Sequence, residues 1–223
     1  MGQCKSEVAD QHKIIIMLKL FYAFFASTIF FSCASKSKTN NAGQSFPKND
    51  STISAPSSNP YSVVDISPMD MSYFPVDYSK RKMAHDISTP PVMRVIYSRP
   101  HKQGRVIFGD LLKYGERWRL GANEASEIEF FENVTIQNKK INAGRYVIYC
   151  IPYPEKWTMI LNNDVYTWGL KIDSTKDLVK FDIPIKKTST NFEYFTMVFQ
   201  PITHGAELVM AWDDTEARLP INF

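Results

Sequence analysis

The feature that most restricts the folds open to this chain is a series of short apolar segments from position 92 to the C-terminus. They are rich in Val, Ile, Tyr, Phe and Trp, and Gly, Pro, Asn or Asp bounds most of them. This pattern is typical of β-strands joined by turns. The predicted strands are 92–98, 127–132, 134–137, 145–151, 157–162, 178–185, 193–200, 206–212 and 215–221.

Side chains alternate along several of these segments. In 178–185, Phe181 and Ile183 face one side, whereas Lys180 and Asp182 face the other. One buried and one solvated face is the signature of an antiparallel sheet. The sequence therefore predicts an all-β fold over residues 91–223, an antiparallel β-sandwich of jelly-roll-like or immunoglobulin-like type with at most one short helix.

The remaining local predictions concern turns and the single helix. A short helix is predicted at 107–113, a polar turn region at "QNKKINAG" and a turn at "WDD". Residues 61–90 contain prolines and apolar side chains without strand or helix periodicity. Because Pro disfavours regular pairing and exposed apolar groups are unfavourable, this stretch is predicted to be an extended segment packed on the sandwich.

The N-terminus has the features of a targeting segment. Lysines precede an apolar run at 20–31, and Ser32 directly precedes Cys33 as in a bacterial lipobox. Residues 1–32 are predicted to be a lipoprotein signal peptide, cleaved before a lipid-carrying Cys33, with Met17 as an alternative start. A plain secretory signal and an uncleaved anchor are the alternatives.

The residues that follow support an anchored protein. Residues 33–60 are rich in Ser, Asn, Lys and Pro, and a segment of that composition is predicted to be a disordered tether. The predicted location is the bacterial cell envelope, at the outer membrane or its periplasmic face, with the membrane as a partner through Cys33. Cys150 is then left as a single, buried thiol that cannot form an intrachain disulfide.

Residues 99–126, which we call the Arg-rich connection, join the first two predicted strands. Connections of about thirty residues are uncommon in compact domains and are often functional. One interpretation is a pocket for a small anionic or sugar ligand, since guanidinium groups suit carboxylates and phosphates and Trp118 offers a stacking face. The other is structural, with an arginine paired to Glu124 and Trp118 filling the core. The candidate ligand-binding residues are Arg99, His101, Arg105, Trp118, Arg119, Asn123 and Glu124.

Several other functions lack their motifs. The chain has no G-x-S-x-G elbow, no closely spaced histidine pair and no G-x-G-x-x-G loop, so neither a metal nor a cofactor is predicted. The formal net charge is +3, and a balance this weak argues against nucleic acid as a partner.

Longer stretches of the chain carry a family resemblance. "SPMDMSYFP", "YSRPHKQGRVIFGDLLKYGERWRLGANEASEIEF", "AGRYVIYCIP", "WTMILN" and "WG" resemble a bacterial family filed as domain of unknown function 2911 (DUF2911). The resemblance covers about 67–223 and implies a location in the envelope but no agreed activity. The positions of this sequence that match the family's polar pattern are Arg99, Gly104, Arg105, Trp118, Arg119, Gly121, Asn123 and Glu124.

Three functions follow as hypotheses. The first is a non-catalytic binding module for a small anionic or carbohydrate ligand, or for a protein partner, through the Arg-rich connection. The second is a hydrolase or lyase of envelope carbohydrate, with Glu124 as acid or base and arginines positioning the substrate. The third is a structural component of the envelope.

Overall fold

The computed structural model describes residue 61 and residues 65–223. The predicted signal peptide (1–32), the lipidated Cys33 and the tether (33–60) lie outside these residues. Among the described residues, no helix combines the length and apolar character needed to cross a membrane.

Antiparallel strands make up most of the described chain. They form one nine-stranded sheet with the order β1-β2-β3-β6-β7-β8-β9-β4-β5, and every neighbouring pair is antiparallel. The all-β prediction is confirmed. The strands are β1 Met69–Phe74, β2 Met93–Ser98, β3 Glu127–Phe130, β4 Val134–Ile136, β5 Lys139–Ile141, β6 Gly144–Pro152, β7 Lys156–Asn162, β8 Asp177–Ile202 and β9 Gly205–Asn222. The helices are α1 Tyr78–Met83 and a 3₁₀ turn at Ser174–Lys176.

Strand β8 connects the two halves of the sheet. Up to Pro184 it pairs with β7, and from Ile185 onward it pairs with β9, with shifts of register between Lys187 and Thr196. Apolar side chains from strands on both sides of this change of partner belong to one buried cluster. A second, smaller cluster of buried side chains contains Ala125, Val147, Tyr149 and Ile160.

The predicted turn at "WDD" is wrong. Predicted strands 206–212 and 215–221 are one strand, β9, and 178–185 and 193–200 are likewise one strand, β8. Asp213 is paired with Phe192 on β8 and has a φ of 55°. Both strands are irregular at this point, so an extra polar residue is accommodated without ending the pairing.

The predicted helix at 107–113 is also absent. Ile107 and Phe108 are both buried, as in the buried face of a helix. The chain instead turns at Gly109, which has a φ of 92°. A parallel bridge joins Phe108 to Leu112 instead. The single α-helix of the described residues is α1, within the segment predicted to be extended.

Two strands were missed by the sequence analysis. The segment 61–90 supplies β1, which pairs with β2 over its whole length. The region "QNKKINAG" contains β5, which pairs with β4 after a tight turn at Gln137 and Asn138, both with positive φ. Two successive residues of positive φ are the geometry of a type I′ hairpin turn.

Candidate functional site

The Arg-rich connection is hydrogen-bonded to the sandwich at both of its ends. Just after β2, Lys102 N donates to Glu193 O over 2.7 Å, and Phe195 N donates to Pro100 O over 3.1 Å. Near its other end, Trp118 N donates to Cys150 O over 2.8 Å and Trp118 O accepts from Cys150 N over 2.9 Å. These anchors fix the positions of the side chains between them.

A buried carboxylate on β9 adds a third anchor. Asp213 Oδ1 accepts from Lys102 Nζ over 2.6 Å and from Asn191 Nδ2 over 2.9 Å, and Oδ2 accepts from Ile107 N over 3.4 Å. The salt bridge and the backbone hydrogen bond both tie the connection to β9. The sequence analysis missed this role because it placed Asp213 in a turn.

A cavity of about 330 Å³ is lined mainly by residues of the connection. Three basic side chains contribute to its wall, whereas no aspartate or glutamate does. The basic lining therefore has no carboxylate within the wall to neutralise it. The lining residues are Ile66, Ser67, Pro100, His101, Gln103, Arg105, Leu111, Leu112, Trp118, Arg119, Gly121, Ala122 and Trp212.

Arg119 is the most unusual member of the wall. Its Nε atom is buried and has no hydrogen-bond partner within the described part of the chain. Burial lowers the pKa of its guanidinium group, which means that the protein disfavours the charge there. Since arginine stays charged in proteins, Arg119 presents a cation that no group of the described residues compensates.

Gly169 makes room for the Arg119 side chain. A Cβ atom at Gly169 would lie 2.8 Å from Ala125 Cβ and 3.2 Å from both Cβ and Cδ of Arg119. The loop that carries Gly169 is held in place by a hydrogen bond from Ala125 N to Thr167 O over 3.1 Å. Gly169 entered the sequence analysis only through the "WG" motif, and its φ of 77° gives a physical reason for glycine there.

Arg105, unlike Arg119, is exposed to solvent, and backbone carbonyls hold its guanidinium group. Its Nε donates to Lys102 O over 2.9 Å, and its Nη2 donates to His101 O. Both acceptors are backbone carbonyls, so its position is fixed without an ion pair among the described residues. Nη1 makes no hydrogen bond to the described residues.

Arg99 has a structural role. Its Nη1 forms a salt bridge with Asp70 Oδ2 over 3.2 Å, and its Nε and Nη2 donate to Phe195 O and Thr196 Oγ1 over 3.3 and 3.2 Å. Arg99 does not line the cavity. It joins β2 to β1 and to β8, as the structural interpretation of the connection expects.

Trp118 fills the core. Its side chain is only 6% exposed, and its ring stacks on Trp212 at a centroid distance of 5.7 Å. Its Nε1 donates to Gly121 O over 3.2 Å. Trp118 also contributes to the lining of the cavity, so its contact with a ligand stays a prediction.

The other candidate residues lie at different places. His101 lines the cavity with its ring against that of Tyr194, at 3.9 Å between centroids. Asn123 donates from Nδ2 to Asp65 and does not line the cavity. Glu124 is exposed and also lies outside the lining. The expected ion pair between an arginine and Glu124 is not among the salt bridges of residues 65–223.

Comparisons with known proteins identify a family but no activity. A family model described as "Protein of unknown function (DUF2911)" matches residues 79–221. No curated protein and no solved structure matches the chain. Within the described residues, no group of three or more His, Cys, Asp or Glu side chains could hold a metal ion.

Proposed function

Because the chain belongs to the DUF2911 family, whose description names no activity, we propose its function from the geometry of the cavity. This cavity binds a small anion. The observation that carries this proposal is the pair of guanidinium groups, Arg105 and Arg119, in a wall that contains no carboxylate. Arg81 and Arg117 also have no salt bridge among the described residues, but neither lines the cavity. Arg94, Arg99, Arg145 and Arg218 are all paired with carboxylates.

The energetics of a partly buried charge favour an anionic ligand. A guanidinium group removed from water without a partner is unfavourable, and an incoming carboxylate or phosphate restores the lost interactions. Hydrogen bonds that involve a charged group stabilise by about 1.5–3 kcal/mol each. Arg119 can offer its paired donors to one anion, and Arg105 can add Nη1.

This function is that of a binding module. Glu124, the acid or base of the hydrolase hypothesis, is exposed and does not line the cavity. The geometry therefore gives that hypothesis no support, and we propose binding as the role of the site. A carbohydrate that carries an anionic group would satisfy the same arginines.

Ligand-induced stabilisation tests the proposal. We expect phosphate, sulfate or acetate, titrated at constant ionic strength, to raise the Tm of the wild type. We expect Arg119→Gln and Arg105→Gln to weaken or remove that shift. Arg117→Gln is the matched control, because Arg117 lies on the same connection, is exposed and does not line the cavity. Equal shifts in all four proteins, or no shift in the wild type, would contradict the proposal.

We further propose that the module is held at the bacterial envelope by lipid on Cys33. The proposal rests on the sequence, where an apolar run and Ser32 precede that cysteine. Intact mass measurement of the membrane-extracted protein should give a chain that starts at Cys33 with added acyl mass. Cys33→Ala should appear in the soluble fraction. A mature chain that begins elsewhere and carries no acyl mass would refute the anchor.

A further inference from the structure

The cavity that holds Arg119 also has an apolar side. Ile66 and Leu111 both line the cavity, although Ile66 is 74% and Leu111 is 44% exposed to solvent. Leu112, packed partly against the core, adds to the same wall. Single exposed apolar residues are common on protein surfaces, but a group of them beside unpaired guanidinium groups is a composite surface that fits an amphiphilic ligand.

The turn that carries Leu111 is fixed by backbone hydrogen bonds. Leu111 N donates to Val106 O over 3.2 Å, Leu112 N donates to Ile107 O over 2.8 Å, and Gly109 N donates to Leu112 O over 2.8 Å. Leu111 is thus held at the cavity although the core does not cover it. A preformed apolar wall of this kind binds without the cost of ordering a loop.

We infer that the ligand is a small amphiphilic carboxylate, whose carboxylate group contacts Arg119 and Arg105 and whose aliphatic part covers Leu111 and Ile66. This inference rests on the proposed function and specifies its ligand class. The free donors of Arg119 match a planar carboxylate, which a guanidinium group binds through two parallel hydrogen bonds. A volume of about 330 Å³ is at the lower end for ligand sites and excludes large molecules.

A series of straight-chain carboxylates tests the ligand class. Acetate, butyrate, hexanoate and octanoate are titrated into the full-length protein at constant ionic strength, and Kd is measured by calorimetry. Each methylene buried from water should lower Kd by about threefold to fourfold, until the cavity is filled. Hexanol and hexyl phosphate, titrated in the same way, report the contributions of the charge and of the type of head group.

Two variants of the same turn separate the apolar wall from general effects. Leu111→Ser should reduce the dependence of Kd on chain length and leave acetate binding unchanged. Val106→Ser is the matched control, because Val106 is 60% exposed on the same turn and does not line the cavity. Val106→Ser should keep the wild-type dependence of Kd on chain length. A Tm measured for each variant confirms that both remain folded.

The possible outcomes distinguish this inference from the function on which it rests. If acetate and octanoate bind equally well, or if Leu111→Ser and Val106→Ser behave alike, the amphiphilic ligand class is wrong while anion binding stands. Hexanol binding as tightly as hexanoate, or hexyl phosphate binding more tightly, would overturn the carboxylate assignment. If no anion binds at all, the proposed function itself fails.

Discussion

Replacing Arg119 by methionine gives a prediction in which the sign of the effect is informative. In the absence of ligand, Arg119 has no ion pair among the described residues and its Nε has no partner, so the substitution breaks no hydrogen bond there. It removes a charge that the protein disfavours and keeps a flexible apolar side chain of similar length. Because the guanidinium group is still partly in contact with solvent, we expect a small gain, from zero to about 1 kcal/mol in the free energy of unfolding.

The same substitution at Arg99 should have the opposite effect. Arg99→Met removes a salt bridge to Asp70 and two further hydrogen bonds. Hydrogen bonds contribute about 0.5–1.5 kcal/mol each, so a loss of about 1–3 kcal/mol is expected. With a urea m-value of about 2 kcal/mol per M, the midpoint of unfolding should fall by roughly 1 M.

Urea unfolding followed by Trp fluorescence, in a Tris buffer without phosphate or carboxylates, measures both changes. The two variants carry the same replacement, so their difference reports how each arginine is partnered. If Arg119→Met loses as much stability as Arg99→Met, then Arg119 holds the fold together. The account of Arg119 as a free binding group would then be wrong.

Three further predictions concern the supports of the site and the acid stability of the fold. Gly169→Ala should lower the free energy of unfolding in urea by about 1–3 kcal/mol more than the control Gly104→Ala, and it should weaken anion binding. Both glycines have positive φ, but a Cβ at Gly169 would lie 2.8 Å from Ala125 Cβ, whereas a Cβ at Gly104 would meet nothing within 4 Å. Asp213→Ala should lower the Tm and also weaken anion binding, because Lys102 and the turn at Ile107 lose a shared acceptor. An unchanged affinity for the anion would mean that Asp213 does not position the cavity wall. Burial alone would raise the pKa of Asp177, but its hydrogen bonds outweigh that effect and lower the pKa. The contribution of Asp177 to stability should therefore be present above about pH 4 and lost as the pH falls further. Asp177→Asn should flatten that part of a stability–pH profile, and an unchanged slope would contradict this prediction.

Strands whose ends are marked by alternating apolar side chains and flanking turn residues could be predicted from the sequence. Strands β6 and β7 were predicted within a residue of their ends, because alternating apolar side chains and flanking turn residues are sufficient to specify them. The same information could not show that β8 and β9 continue through polar residues. Continuity there depends on pairing between the two strands, and the carboxylate of Asp213 is satisfied by Lys102, 111 positions away in the chain.

The arginines of the connection could be predicted as a group but not sorted by role. Arg99 and Arg119 both belong to the Arg-rich connection, yet one is paired with a carboxylate and the other is not. The difference lies in Asp70, which is 29 positions from Arg99 and belongs to a strand that the sequence did not predict. Trp118 was likewise ambiguous, because only the assembled core shows that Trp212 covers its ring.

The most direct test of the central claim is to observe the guanidinium groups during an anion titration. The Nε–Hε resonances of the arginines are recorded by NMR while hexanoate is added at constant ionic strength. We predict saturable shifts for Arg119 and Arg105 and an unchanged resonance for Arg99. An Arg119 resonance that does not respond, or shifts of the same size at every arginine, would contradict the claim that this cavity binds an anion.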